Sequence, residues 1–246
     1  MPETILEFRN VAKRFGGLTA VRDVSFTVGK GEILFLIGPN GAGKTTVFNL
    51  ISGFLHPDRG SIVLDGKDIS RVAPHEAARL GIGRTFQIVK PLAGLTVLQN
   101  VMLGAFMHTA SVERAAAEAR EVLAFLQIAH LAAHPAHGLS LAVLKRLELA
   151  RALAGRPRLI LLDEVVSGLT SGEAVALAGL IQRLPEWGVS AVGGVEHVMA
   201  VVLQIADRVV VLDYGAKIAE GKPAEVVKLP AVIEAYLGPR HRELAR

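Results

Sequence analysis

The 246-residue sequence contains no cysteine, which excludes disulfide bridges and cysteine metal sites and leaves the redox compartment undetermined. It also lacks any uninterrupted apolar run of about 18 residues, the length a membrane-crossing helix requires. This holds although hydrophobic residues make up 51% of the chain and the mean hydropathy is +0.41. The oiliest stretch, Val189 to Val211, is interrupted by Glu196, His197, Gln204, Asp207 and Arg208. Met1 to Asn10 carries Glu3, Glu7 and Arg9 without an apolar core, so no signal peptide is read there. Concentrated charge of one sign is missing too. The net charge is +4 and the isoelectric point near 9.6, but the cations are scattered, and only Arg240, His241, Arg242 and Arg246 form a locally basic tail. That distribution suits ordinary solvated surface with a mild bias toward membranes, and no nucleic-acid partner is expected. No internal repeat or low-complexity tract stands out.

What is present fits one large α/β domain with a substantial core. Leu6 to Val28 alternates apolar and polar residues around Gly16-Gly17, predicting two short strands and a turn. Glu32 to Ile37 reads as a buried strand, followed by a glycine-rich turn and a helix from Lys44 to Phe54. Ser61 to Leu64 and Asp65-Gly66 predict a strand and hairpin turn. Val112 to Leu126 and Leu139 to Ala154 have helical spacing. Arg158 to Leu162, Val189 to Val195 and Arg208 to Leu212 read as further buried strands, and their alternation with helices predicts a largely parallel sheet.

Gly38-Pro39-Asn40-Gly41-Ala42-Gly43-Lys44-Thr45 satisfies G-x-x-x-x-G-K-[ST] in full, with a strand before it and a helix after. Its glycines let successive N–H groups curl toward phosphate oxygens, and the helix N-terminus adds partial positive charge. Lys44 is placed to reach the β- and γ-phosphates and Thr45 to bind Mg²⁺, with Thr46 beside it counted among the nucleotide contacts. The stretch Leu159-Ile160-Leu161-Leu162-Asp163-Glu164 is an apolar strand ending in two carboxylates. Asp163 suits Mg²⁺, and Glu164 suits a general base that polarises the attacking water.

These motifs resemble those of the ABC transporter ATPase family, over nearly the whole chain, and more narrowly the subunits that serve branched-chain amino acid importers. The phrases Gly81 to Pro91 and Val232 to Gly238 point to that branch. Taken singly, Phe15 reads as a core aromatic, Gln87 as a surface polar residue and His197 as a strand-end histidine. Their order relative to Lys44 and Asp163 gives them other roles. The resemblance implies that Phe15 stacks on adenine, Gln87 touches Mg²⁺ and senses a membrane subunit, and His197 contacts the γ-phosphate. It implies a P-loop (RecA-like), mostly parallel core with an N-terminal antiparallel β subdomain and an inserted α-helical subdomain. The boundaries expected are 1–87 and 155–238 for the core, 88–154 for the helices and 239–246 for the tail. ATP and Mg²⁺ are the implied ligands.

Several positions depart from the family pattern. The signature stretch is Leu139-Ser140-Leu141-Ala142-Val143, which keeps Ser140 but has Ala142 and Val143 for glycine and glutamine. A positive φ at Ala142 would be strained, whereas a helical φ would cost little. Val165 replaces a proline, and Thr170 stands where an Asp or Asn is usual, offering only a hydroxyl across a dimer interface. Gly193-Gly194 weakens a strand that should be buried. The resemblance further implies an importer with permease subunits, a second ATPase subunit and, indirectly, a periplasmic or extracellular solute-binding protein. A non-identical second ATPase is expected, with a homodimer as the alternative, at the cytoplasmic face of the inner membrane. A regulatory subunit with little hydrolysis of its own and a soluble non-transport ABC ATPase are the competing readings.

Overall fold

The computed structural model describes residues 3–86, 90–194 and 204–237. Gln87, His197 and the basic tail fall outside them.

Strands β1 (Thr4–Phe15) and β2 (Leu18–Gly29) form an antiparallel hairpin, each twelve residues long rather than short. Register shifts interrupt the pairing at several points, so the strands bend and continue past the places where alternation lapses in the sequence. β1 also pairs with β4 (Arg59–Leu64), which turns through Asp65-Gly66 into β5 (Lys67–Asp68). The resulting four-stranded sheet has the order β2-β1-β4-β5. The second sheet contains β3 (Ile33–Ile37), β6 (Ile82–Arg84), β7 (Leu159–Asp163), β8 (Ser190–Gly194), β9 (Arg208–Asp213) and β10 (Ala216–Gly221), in the order β10-β9-β3-β8-β7-β6. Every neighbouring pair in it is parallel except β9 with β10.

β3 is buried on both faces, as its unbroken apolar run requires. Its alternate residues divide the core in two. Ile33, Phe35 and Ile37 pack with apolar residues of the helices, whereas Leu34 and Leu36 pack with Phe48, Ile51 and the four-stranded sheet. Each such side chain contributes about 1.5–3 kcal/mol relative to exposure.

Helix α1 (Lys44–Ile51) ends before the expected Phe54. Gly53 takes a left-handed φ of 76°, and its missing Cβ would lie 2.6 Å from the Val72 carbonyl oxygen, so the chain turns away there. A short helix α2 (Pro74–Arg79) precedes β6. Between β6 and β7 lie α3 (Val97–Ala105), α4 (Val112–Phe125) and α5 (Leu141–Ala154), which pack on one another. In α4 the buried Ala115, Ala119 and Val122 form its inner stripe. α6 (Ser171–Gln182) leads back toward β8.

The paired glycines of β8 make room for aromatic rings. A Cβ on Gly193 would lie 2.3 Å from Cε1 of Phe35, and one on Gly194 would lie 3.0 Å from Cε2 of Phe48. The backbone of β8 therefore approaches two phenylalanines, one on each face of the sheet. Among the described residues, no helix is long and apolar enough to cross a membrane.

Candidate functional site

The chain leaves β3 at Ile37 and enters the loop through Gly38, whose φ of 150° and proximity to the Leu212 carbonyl exclude a side chain. Gly41 and Gly43 also take positive φ, 79° and 105°. A Cβ on Gly43 would lie 2.5 Å from the Ala20 carbonyl oxygen. Lys44 is buried, and its ammonium donates to the carbonyls of Gly38 (2.7 Å) and Pro39 (3.0 Å), so it spans the curled loop. α1 opens directly from this loop without a side-chain cap and without an acidic residue in its first turn. Such an N-terminus presents amide N–H groups and partial positive charge to an anion.

Phe15, Leu18, Ala20 and Tyr214 wall a cavity of about 300 Å³ that Gly41 to Thr46 floor. Phe15 is 45% exposed, which overturns its reading as a core aromatic. Lys13 lies 5.7 Å from its ring centroid and pairs with Asp58 at 2.9 Å.

Asp163 ends β7 beside α1. Its amide donates to the buried Thr85 hydroxyl at 3.1 Å, and Arg84 reaches its carboxylate at 3.3 Å. Arg84 also donates to Asn49 and Ser52, both at 2.8 Å, and its guanidinium lies 5.2–6.0 Å from the ring centroids of Phe48, Phe54 and Phe86. Burial pulls the guanidinium below its ordinary pKa, against the opposing pull of Asp163. Its buried Nε has no hydrogen-bond partner among the described residues.

Glu164 sits at φ 48°, left-handed for a residue with a side chain. Its amide donates to Gly194 O (3.1 Å), and its carbonyl accepts from the Ser167 amide (3.1 Å) and the Lys145 ammonium (2.9 Å). The backbone is thus held by β8, α5 and its own following turn in a conformation that costs about 1–2 kcal/mol. Lys145 and Glu148 are buried one turn apart on α5. Desolvation lowers the Lys145 pKa and raises that of Glu148, more strongly than their mutual attraction opposes. Glu148 accepts from the Phe86 amide at 2.7 Å.

Ser140 is the N-cap of α5, accepting from the Val143 amide at 3.4 Å. Ala142 is the second residue of that helix and has no positive φ, so its methyl is compatible with the backbone there. Ser140 does not wall the phosphate-loop cavity. Val165 is core. Thr170 caps α6, and its hydroxyl donates to Glu173 at 2.8 Å, so it serves the helix start.

Sequence reasoning missed Thr85, Arg84, Lys145, Glu148 and Tyr214. Arg84 and Thr85 lie inside a quoted family phrase, and Lys145 and Glu148 share the buried side of an otherwise apolar helical stripe. No signal in the sequence brings Tyr214 to the loop.

Residues 21–167 match the family model described as ABC transporter, and residues 216–238 match that of the branched-chain amino acid ATP-binding cassette transporter. The chain is 38% identical to a probable branched-chain amino acid transport ATP-binding protein of Archaeoglobus fulgidus, over 98% of both chains. It is also 38% identical to a high-affinity branched-chain amino acid transport ATP-binding protein of Pseudomonas aeruginosa, over 97% of this chain and 99% of that one. Among solved structures, the ADP conformation of an ATP-binding cassette of an ABC transporter superposes with a TM-score of 0.87 at 34% identity, covering 96% of this chain and 99% of the other. A dimeric cassette in a post-hydrolysis state, bound to ADP and Pi, gives a TM-score of 0.79 at 28% identity, with 89% and 99% covered.

Proposed function

The chain belongs to the ABC transporter family, and from that premise we propose that it is the ATP-hydrolysing subunit of an importer for branched-chain amino acids or similar small polar solutes. The observation that carries this reading is the joining of an exposed aromatic, Phe15, with Gly41 to Thr46 of the phosphate loop in one cavity. The full-length similarity to named branched-chain amino acid transport ATP-binding proteins supports the solute class.

Phe15 would stack on the adenine, and the amides of Gly38 to Thr46 with the Lys44 ammonium would hold the phosphates. The donor set fits Mg²⁺. Thr45 and Asp163 offer the hard oxygens that ion prefers, with the phosphates supplying others. When bound, the ion would supply neutralisation of charge on the β- and γ-phosphates. Glu164 would orient the attacking water and accept its proton, from a backbone already fixed by Gly194, Ser167 and Lys145. His197 would contact the γ-phosphate and Gln87 the metal, both on the sequence pattern alone.

Two ATPase chains would close head to tail, so that the Ser140 segment of each completes the partner's nucleotide site. The helical φ at Ala142 supports this, because the first amides of α5 lack intrahelical partners. A second cleft, of about 430 Å³, lies between β6 and helices α3 and α5. Phe54, Phe86, Leu103 and Met107 line it and are exposed, which suits a cytoplasmic segment of a permease at the inner face of the membrane.

Mg²⁺-dependent ATP hydrolysis measured over a range of protein concentrations tests the proposal. Turnover per chain should rise with concentration and vanish in Glu164→Gln while ATP binding is retained. Wild-type turnover in that variant would remove Glu164 from the chemistry.

A further inference from the structure

The hairpin between β9 and β10 closes at Asp213 and Ala216 through the two residues Tyr214 and Gly215, with φ of 42° and 80°. Positive φ at both central positions is the turn that matches strand twist, and Asn, Asp or Gly normally fills the first of them. Tyrosine is a poor choice there on backbone grounds alone. The other non-glycine residues with positive φ among those described are Asn10, Asp23, Asp65, Gln127, Arg156 and Glu164, all polar. Nor does packing explain the choice, because Tyr214 is 78% exposed.

The turn is fastened to the phosphate loop. The Gly215 amide donates to Ala42 O at 3.0 Å, and the Arg22 amide donates to Gly215 O at 2.7 Å. A Cβ on Gly215 would lie 2.7 Å from the Ala20 carbonyl oxygen, so the two backbones pack without side chains between them. Tyr214 is therefore held in a fixed relation to Gly43 and Lys44, and it walls the same cavity as Phe15. A strained, exposed aromatic on the wall of a cavity points to a role in what that cavity binds.

We propose that Tyr214 is a second aromatic wall of the nucleotide site, contacting the base or ribose of the bound purine nucleotide and setting, with Phe15, the base-dependent part of its affinity. This rests on the reading of the cavity as an ATP site. A flat ring supplies stacking area at little cost in side-chain freedom, and the phenol adds a donor and acceptor for a ribose hydroxyl.

Equilibrium binding of ATP and of inorganic tripolyphosphate to the full chain separates the two ideas. Tyr214→Asn, which suits the turn, should weaken ATP about tenfold, leave tripolyphosphate unchanged and melt at or above the wild-type temperature. Tyr214→Gly provides a second variant compatible with the backbone, and Tyr214→Phe should keep ATP affinity within about twofold, since the stacking face remains. If wild type prefers ATP to tripolyphosphate but Tyr214→Asn and Tyr214→Gly bind ATP normally, the role of Tyr214 is overturned and the ATP site stands. Equal loss for both ligands also overturns it, since the effect would then run through the phosphate loop. A wild type that binds ATP no better than tripolyphosphate overturns the ATP site itself.

Discussion

Arg84 holds Asp163, Asn49 and Ser52 through one guanidinium, which also lies 5.2–5.5 Å from the ring centroids of Phe54 and Phe86 in the second cleft. Removing one partner of a buried ion pair leaves the other uncompensated. Arg84→Ala should therefore lower stability by about 3 kcal/mol in urea unfolding. Arg84→Lys should recover only part of this, because an ammonium cannot bridge three acceptors in a plane. Glu148 makes a pH-dependent contribution. Its folded pKa is raised above the ordinary 4.5, so its favourable contribution is complete below that value and is lost as pH rises through the raised one. The stability of wild type minus that of Glu148→Gln should accordingly fall across that window and level off above it. A flat difference would mean that Glu148 titrates alike in the folded and unfolded chain.

At the level of elements, the middle of the parallel sheet is shaped by what β8 omits. Gly193→Ala should cost about 1–3 kcal/mol through overpacking against Phe35. Combining it with Phe35→Leu should cost less than the two changes summed, which chemical denaturation would measure. Strands β3, β7 and β9 were legible in the sequence because buried parallel strands read as short apolar runs. The phosphate loop was legible because its chemistry is contiguous. The full length of β1 and β2 was not, since bulges break the alternation that marks a strand. The buried charges of α5 were hidden for a related reason. A lysine and a glutamate on a helix look solvated until the neighbouring elements, here the Glu164 carbonyl and the Phe86 amide, take up their hydrogen bonds.

At the scale of the whole molecule, the proposed reading gives the phosphate-loop cavity to a nucleotide and the second cleft, with its exposed Phe54, Phe86, Leu103 and Met107, to a partner. Leu103→Glu and Met107→Glu should leave ATP affinity of the isolated chain within about twofold, since neither residue walls the phosphate-loop cavity. They should weaken capture of permease-containing vesicles, and undiminished capture would place docking elsewhere. The single tryptophan has a consequence for watching such events. Trp187 lies between α6 and β8, with its ring 4.7 Å from that of Phe125 on α4. It reads the contact between the helices and the sheet, so a rotation of one against the other on ATP binding should alter its emission without any label. With no native thiol to compete, a cysteine introduced on either side would accept one dye at one known place, turning that contact into a calibrated distance.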